Sequence, residues 1–228
     1  MISDKKLTVV FRNFYRNRMV NLSALSVKHF LPNADIHCLT LYKESMSEYT
    51  NQERLSDYIT EFTDKTKYVS KNQVHDHVDS SKTSGYGNSD NGQYFAEGYN
   101  LIFEKFRGTD EPVLILAEDH FFTTGATLKE LVDTDWDAAY ADGDSPDCSR
   151  ANGSIVGIVP SRVSWLFPMT EYENTTVEWM VGNLLLRQLP QDRVHRLTTR
   201  NWIDYCGDGI YTNSSEVMEV ELKKAGIL

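Results

Sequence analysis

The chain has 228 residues, 40% hydrophobic and 11% aromatic, which is enough to bury the core of one α/β domain. Its formal net charge of −10 argues against a general binder of nucleic acid or anionic membranes, because such proteins draw most of their affinity from Lys and Arg. A phosphate ligand stays possible if a divalent metal supplies positive charge. The three cysteines are odd in number and far apart, which favours a reducing compartment over a disulfide framework or a zinc ribbon.

No stretch of the chain predicts a membrane span. Met1–Leu7 carries charges but no apolar signal region, and no hydrophobic run approaches spanning length. We therefore expect a cytoplasmic protein of bacterial or viral origin, acting in the host cytoplasm if viral.

The start of the chain predicts a strand, a helix and a second strand. The strand Leu7–Phe11 leads into a basic and aromatic loop, Arg12–Arg18, and the second strand is Ile36–Tyr42. Between them, apolar residues recur at helical spacing, namely Val20, Ala24, Val27 and Leu31. Pro32 ends this helix. Such a unit implies a right-handed crossover and a parallel strand pair.

The next segments are polar. Lys43–Lys71 carries spaced apolar residues that suggest one or two amphipathic helices. Lys71–Asn91 is rich in Ser, Asn, Asp and Gly and predicts a long loop, which in a compact domain is usually functional or disordered. A helix then presents one apolar face before Gly108 stops it. That face consists of Phe95, Tyr99, Ile102, Phe103 and Phe106.

An apolar run that stops at an acidic cluster organises the chain. Pro112–Ala117 predicts a strand buried on both faces, and Glu118, Asp119 and His120 follow directly. Ligands bind at the carboxyl ends of such strands. Because side chains alternate along a strand, the backbone must leave the strand here for these groups to reach one ligand. The alternative is a solvated turn beside a helix cap.

These three side chains suggest distinct roles. Asp119 is the best candidate for a direct ligand of Mg²⁺ or Mn²⁺, since such ions are held by one or two carboxylates together with substrate phosphates. Glu118 would instead accept a hydrogen bond from a ribose or sugar hydroxyl.

The remaining elements are predicted from periodicity and cap signals. Thr127 and Glu130 have the spacing of a capping box that starts a short helix. The other predicted elements are strands Trp136–Ala141 and Ser154–Val159, a short helix over Ser161–Phe167, a helix Thr175–Leu189 and a last helix from Ser214 or Ser215 to Gly226.

The strand, the Glu-Asp-His triplet, the aromatic residues and the following helix resemble the acidic motif of GT-A nucleotide-sugar glycosyltransferases. Those enzymes carry Asp-x-Asp or Glu-Asp-Asp at this point, and some Golgi N-acetylglucosaminyltransferases carry Asp-His. The likeness in layout covers roughly Leu7 to Tyr211. It implies one GT-A-like domain over residues 1–228, with a mostly parallel sheet flanked by helices on both sides.

The resemblance also implies a function and its residues. The chain would use Mn²⁺ or Mg²⁺ to move a sugar from a nucleotide-diphosphate sugar to a glycan or protein acceptor. The metal would bind at Asp119. The nucleoside would be held by Arg12, Asn13, Arg16 and Glu118. A loop from Gly85 to Gly92, including Asn91, would close over the donor sugar. The acceptor would face Asp142, Asp144 and Glu178.

Two of these roles stay open. In inverting members a carboxylate near Glu178 is the general base, but Glu178 also has the spacing to close a capping box with Thr175. Related enzymes often add a metal ligand from a C-terminal His, where this chain has Tyr205. His195, Asp208, or water and the diphosphate would then complete the metal shell.

Several alternatives remain. His75–Asp79 contains His-x-His-x-Asp, a two-metal hydrolase pattern that here lacks its final histidine. Arg196 and Arg200 either hold the departing diphosphate or are surface charges. The chain would otherwise be a non-catalytic glycan- or protein-binding module of this fold, or a sugar-1-phosphate nucleotidyltransferase. The latter would want a glycine-rich loop where Arg12–Arg18 has no glycine.

Overall fold

The computed structural model describes residues 6–13, 16–40, 53–62, 89–142, 151–168, 188–197 and 214–228, of which 89–97, 141–142 and 151–154 are described by their backbone. The strands within these residues are β1 (Thr8–Asn13), β2 (Asp35–Thr40), β3 (Ile59–Phe62), β4 (Val113–Ala117), β5 (Ala138–Asp142), β6 (Ala151–Ile158) and β7 (Val194–Arg196). The helices are α1 (Asn17–Phe30), α2 (Ser89–Phe106), α3 (Ala126–Asp133) and α4 (Ser215–Lys224). The strands form one sheet in the order β3-β2-β1-β4-β6-β5-β7.

The sheet is mostly parallel, as predicted. β1 pairs in parallel with β2 and β4, β2 with β3, and β5 with β7. β6 is antiparallel to both β4 and β5. The carboxyl ends of β1, β2, β4 and β5 therefore lie at one edge of the sheet.

Helices cover both faces of the sheet. On one face, α1 and α3 pack in a core that includes Phe11, Val20, Leu116 and Leu128. On the other face, the Phe106 ring of α2 lies 5.1 Å from the ring of His37 on β2. The apolar periodicity of α1 is confirmed, and in α2 it is confirmed for Tyr99, Ile102 and Phe103, which are buried. Gly108 follows α2 with φ of 77°, a left-handed conformation that favours glycine.

In the half of the sheet that contains β5 and β6, a tryptophan packs directly against a glycine. Trp136 is buried and its Nε1 donates to the Leu131 carbonyl at 2.9 Å. A Cβ on Gly157 would lie 2.9 Å from the Trp136 ring and 3.2 Å from the Ala139 Cβ. Glycine in β6 is thus required by close packing.

The last helix is confirmed and packs on α1. Ser214 caps it by accepting from the Val217 amide at 3.4 Å. Its apolar side joins a second, smaller cluster of buried residues, which consists of Met19, Leu22, Phe121, Met218 and Leu222. No helix among the described residues is long and apolar enough to cross a membrane.

Four predictions about local structure are wrong. Ile59–Phe62 is the edge strand β3, because its short apolar signal is satisfied by pairing with β2. Arg12 and Asn13 continue β1, and Asn17 and Arg18 open α1, so the predicted loop is much shorter. Gly125 precedes α3 without a side-chain cap, and Thr127 is buried inside that helix. Ser89–Asn91 begin α2, which shortens the predicted loop there too.

The other predicted elements either agree closely with an observed element or lie outside the described residues. The short helix over Ser161–Phe167 is reduced to a 3-10 turn at Ser164–Leu166. Residues 41–52, 63–88 and 143–150 lie outside the described residues, and so do 169–187 and 198–213. Those segments contain several of the predicted site residues, namely Gly85, Asp144, Glu178, Arg200, Tyr205 and Asp208, together with the alternative metal pattern at His75–Asp79.

Candidate active site

The carboxyl ends of β1 and β4 bring the predicted site together. Arg12 lies beside Ala117 in the parallel register, so the acidic triplet begins next to the end of β1. β4 ends at Ala117, and the His120 amide donates to the Ala117 carbonyl at 3.2 Å. The backbone therefore leaves the strand in a tight turn, as predicted.

Glu118 turns inward. It is 5% exposed, and its Oε1 lies 3.7 Å from Nη1 of Arg16. Burial and the charge of Asp119 raise the pKa of Glu118 to about 7, while Arg16 acts in the opposite direction. A carboxyl group with such a raised pKa, at the end of a central strand, is typical of a functional site.

Asp119 and His120 form a pair. Nδ1 of His120 lies 3.0 Å from Oδ1 of Asp119, and the imidazole is buried. Burial alone would raise the pKa of Asp119, but the hydrogen bond and charge of His120, together with Arg16, hold that pKa below its usual range. The Asp119 side chain keeps 14% exposure, against 2% for His120. Of the triplet, Asp119 is thus best placed to meet a ligand while His120 orients it.

Asn13 is fully buried and shapes the start of α1. Its Oδ1 accepts from the Arg16 amide at 2.9 Å, and its Nδ2 donates to Asn17 Oδ1 at 2.6 Å. These bonds fix the backbone of Arg16, whose guanidinium faces Glu118. A direct contact of Asn13 with a nucleoside stays a prediction, and would require one of these bonds to be exchanged.

Arg12 is buried as well. Its guanidinium carbon lies 5.1 Å from the centre of the Tyr99 ring of α2, a cation–π contact. Its charge lowers the pKa of Glu118 to a small extent. Arg12 therefore contributes positive potential beneath the acidic turn from a position with 3% exposure. A stacking contact of Arg12 with a nucleotide base stays a prediction.

The remaining predicted residues are placed by their backbone. Asp142 ends β5 at the same edge as Asn13 and Ala117, two strands from β4. Asn91 lies in α2, about 12 Å along the helix axis before Tyr99 at 1.5 Å per residue. Since α2 runs from Tyr99 beside Arg12 to Phe106 beside His37, its first turns extend beyond the carboxyl edge.

The side chains of the turn supply some, but not all, of the ligands that a Mg²⁺ or Mn²⁺ ion needs. Among the described residues, no group of three or more His, Cys, Asp or Glu side chains could hold a metal ion. Asp119 nonetheless offers one partly exposed carboxylate, and Mg²⁺ or Mn²⁺ is commonly held by one or two carboxylates with phosphate and water. A closed site made only of protein ligands does not fit these residues.

His195 is not near this turn. Its Nε2 lies 2.9 Å from Oε1 of Glu130. It belongs to β7, three strands away from β4, or roughly 14 Å at the usual strand spacing. The structure thus argues against His195 as the second metal ligand. Arg196 is exposed on the same edge strand.

Sequence reasoning missed two serines that hold the acidic turn. Ser23 and Ser26 of α1 are fully buried, and each bonds to the backbone of residues 118–122. The available signal was their spacing, because both lie between the apolar positions Val20 and Val27. Small polar residues on a buried helix face need hydrogen-bond partners.

Comparison with known proteins establishes the fold. No protein-family model and no curated protein matches the chain. The apo glycosyltransferase GlyE of Streptococcus pneumoniae TIGR4 is similar in structure, with a TM-score of 0.50 and 17% identity. That match covers 85% of this chain and 45% of GlyE, so the chain spans less than half of that relative.

Two further solved structures resemble the chain. The galactosyltransferase LgtC, in complex with donor and acceptor sugar analogues, is 12% identical over 98% of this chain and 96% of LgtC, with a TM-score of 0.49. The 4-diphosphocytidyl-2C-methyl-D-erythritol synthase of Anaerococcus prevotii DSM 20548 is 9% identical over 97% and 96%, also with a TM-score of 0.49.

The chain has the GT-A fold of nucleotide-diphospho-sugar transferases, as the sequence predicted. At 17% identity the likeness to GlyE concerns the fold, and the activity must be argued from the site.

Proposed function

We propose that the chain is a metal-dependent glycosyltransferase that moves a sugar from a nucleotide-diphosphate sugar to a glycan or protein acceptor. The observation that carries this proposal is the turn after β4. There a partly exposed Asp119, oriented by His120, lies beside the buried Glu118 and the partly exposed Arg16 at the carboxyl edge of the sheet. Ligands bind at this edge in open α/β folds.

The proposed donor site uses residues from both strands. Asp119 would hold Mn²⁺ or Mg²⁺, which when bound offsets the charge of a diphosphate. Glu118 would accept a hydrogen bond from a ribose or sugar hydroxyl. Arg12, Asn13 and Arg16 would frame the nucleoside side, with Arg12 and Arg16 supplying positive potential.

The proposed reaction is a substitution at the anomeric carbon. An acceptor hydroxyl forms the new C–O bond while the bond to the diphosphate breaks, and the diphosphate leaves with the electron pair. Asp142 and Asn91 would lie toward the sugars. Glu178 would take the acceptor proton if configuration inverts, and the departing diphosphate would take it if configuration is retained. Residues 1–228 would act as one domain, in the cytoplasm of a bacterium or of a virus-infected host.

A thermal-shift panel tests this function directly. UDP, GDP, CMP and their sugar conjugates are each added with and without Mn²⁺, because a ligand that binds only the folded state raises the melting temperature. We expect one nucleotide diphosphate to stabilise the chain only with metal. Asp119→Asn should lower that metal-dependent affinity by about 100-fold or more, as loss of several kcal/mol of charge stabilisation implies.

A matched control removes the same charge at the opposite edge. Asp110 lies there, with its Oδ1 accepting from Ser161 at 2.5 Å, so Asp110→Asn should bind nucleotide like the wild type. A folded Asp119→Asn chain with unchanged metal-dependent binding would exclude this site. If the chain binds a nucleotide but turns over no sugar conjugate, the non-catalytic module is favoured. If it makes a nucleotide sugar from a sugar 1-phosphate, the nucleotidyltransferase is favoured.

A further inference from the structure

Two buried serines of α1 bond to both ends of the acidic turn. The Ser23 hydroxyl donates to the Glu118 carbonyl at 2.9 Å. The Phe122 amide donates to the Ser26 hydroxyl oxygen at 3.0 Å. Both serines are fully buried, so water does not compete for these bonds. Asp119 lies between the two anchored positions.

The hydrogen-bond roles of the serines are mutually consistent. The Ser26 hydroxyl donates to the Ser23 carbonyl at 2.6 Å, which leaves its oxygen to accept from Phe122. Each hydroxyl has one proton, and each proton has an acceptor. The Phe122 amide is therefore linked through the Ser26 hydroxyl to the Ser23 carbonyl of α1, and the Ser23 hydroxyl is linked to the Glu118 carbonyl. Both serine hydroxyl protons are used in these bonds.

The two side chains that follow the acidic triplet are anchored as well. Phe121 packs in the cluster that α1 forms with α4, and Phe122 packs in the main core under the sheet. Helix α1 also begins directly after Arg16, whose guanidinium lies 3.7 Å from the Glu118 carboxylate. α1 thus fixes both the arginine and the turn that carries Asp119.

We propose that Ser23 and Ser26 are positioning residues that set the Asp119 carboxylate for the divalent cation of the donor site. This inference rests on the proposed function, but neither serine is among the residues proposed to contact the donor or the metal. Neither serine touches the ligand. Each acts through the backbone of the turn, so its loss should weaken metal binding without removing a ligand atom.

The test compares serine variants with controls that lie elsewhere. Ser26→Ala leaves the Phe122 amide without its acceptor, and Ser23→Ala removes the donor to Glu118 while leaving the Ser26 contact intact. Gly157→Ala controls for loss of stability, because its Cβ would crowd Trp136. Ser161→Ala removes a serine hydroxyl at the opposite edge, where it bonds to Asp110.

Two measurements separate positioning from general destabilisation. The affinity for Mn²⁺ alone is measured from the electron paramagnetic resonance signal of the unbound ion. Backbone hydrogen exchange is followed in the peptide that covers residues 117–123. We expect Ser26→Ala to bind Mn²⁺ about 10-fold more weakly, the usual cost of losing an outer-shell partner of a metal ligand. Exchange in the turn should become faster, while both controls keep wild-type values in both measurements.

The outcomes distinguish this inference from the function on which it rests. If the wild type binds Mn²⁺ and Ser26→Ala matches Gly157→Ala in both measurements, the positioning role is wrong and the proposed function stands. If the wild type binds no Mn²⁺, both are overturned. Should Ser26→Ala fail to fold, Ser23→Ala decides, with a loss of about 10-fold supporting the role and wild-type affinity overturning it.

Discussion

Clusters of arginine and carboxylate lie at opposite edges of the same sheet, and they differ in burial. At the carboxyl edge, the side chain of Glu118 is 6% exposed and that of Arg16 is 21% exposed. At the amino edge, Arg162 and Arg193 are 40% and 32% exposed. The pair at the carboxyl edge is therefore the more buried, whereas the arginines at the amino edge lie at the surface with Asp135, which is 68% exposed, and Asp137, which is 15% exposed.

The electrostatics of the two clusters follow from this difference. Burial is the main reason that the pKa of Glu118 rises to about 7, and its contact with Arg16 is a loose 3.7 Å. At the amino edge, the hydrogen bond from Arg193 holds the pKa of Asp137 below its usual range, with Arg162 adding to the effect. The carboxylates at the amino edge are thus stabilised in their charged form, whereas burial disfavours the charged form of Glu118 at the carboxyl edge. A carboxylate whose pKa burial raises in this way is characteristic of a functional site.

The largest expected effect on stability comes from breaking the buried cluster. Arg16→Met would leave Glu118 without its facing cation, and removing one partner of a buried ion pair is strongly destabilising. At about pH 9, above the pKa of Glu118 at about 7, this carboxyl is ionised and we expect a loss of about 2 kcal/mol. This is below the usual range for fully buried pairs, because Arg16 is partly exposed and the contact is long. Urea unfolding measures the loss. An unfolding free energy equal to that of the wild type would show that Glu118 does not depend on Arg16.

The fold was predictable where one segment carries its own signal. The run before Glu118 had to be a buried strand, and the periodicity of α1 and α2 required amphipathic helices. Ile59–Phe62 could not be recognised as a strand, because four residues at a sheet edge gain their order from pairing with β2. The antiparallel insertion of β6 likewise depends on a partner far away in sequence.

The sequence predicted which residues form the candidate site better than it predicted how those residues are arranged in space. Asp119 and Glu118 follow the strand and could be named, but their different exposure depends on α1, about 100 residues earlier in the chain. Arg12 read as a loop residue because charge rarely continues a buried strand. The Tyr99 ring that covers its guanidinium comes from a separate helix. Such long-range burial leaves little trace in local sequence.

A smaller effect should follow the pH at the amino edge. The pKa of Asp137 is lowered in the folded chain, so its contribution to stability is present above the unfolded-state value of about 3.9 and is lost as the pH falls through the folded value. Asp137→Asn should therefore be less stable than the wild type at pH 7, with the gap closing below about pH 4. Urea unfolding between pH 7 and pH 3 checks this. Asp57→Asn, at an exposed carboxylate, controls for the change in net charge, and a gap independent of pH would contradict the assignment.

The smallest effect is expected for Arg193→Met, and this prediction separates burial from bond length as the cause of the contrast. Arg193 lies 2.6 Å from Asp137 and 3.1 Å from Asp135, both shorter than the 3.7 Å between Arg16 and Glu118. A ranking by distance would make Arg193 the more important arginine. Arg193 is 32% exposed and its partner Asp135 is 68% exposed, so water and salt reach these ion pairs and screen them. We therefore expect the melting temperature to fall by no more than about 2 °C and the difference to shrink in high salt. If Arg193→Met destabilises the chain more than Arg16→Met does under the same conditions, burial is not what distinguishes the two edges, and the electrostatic argument for a site at Glu118 loses its basis.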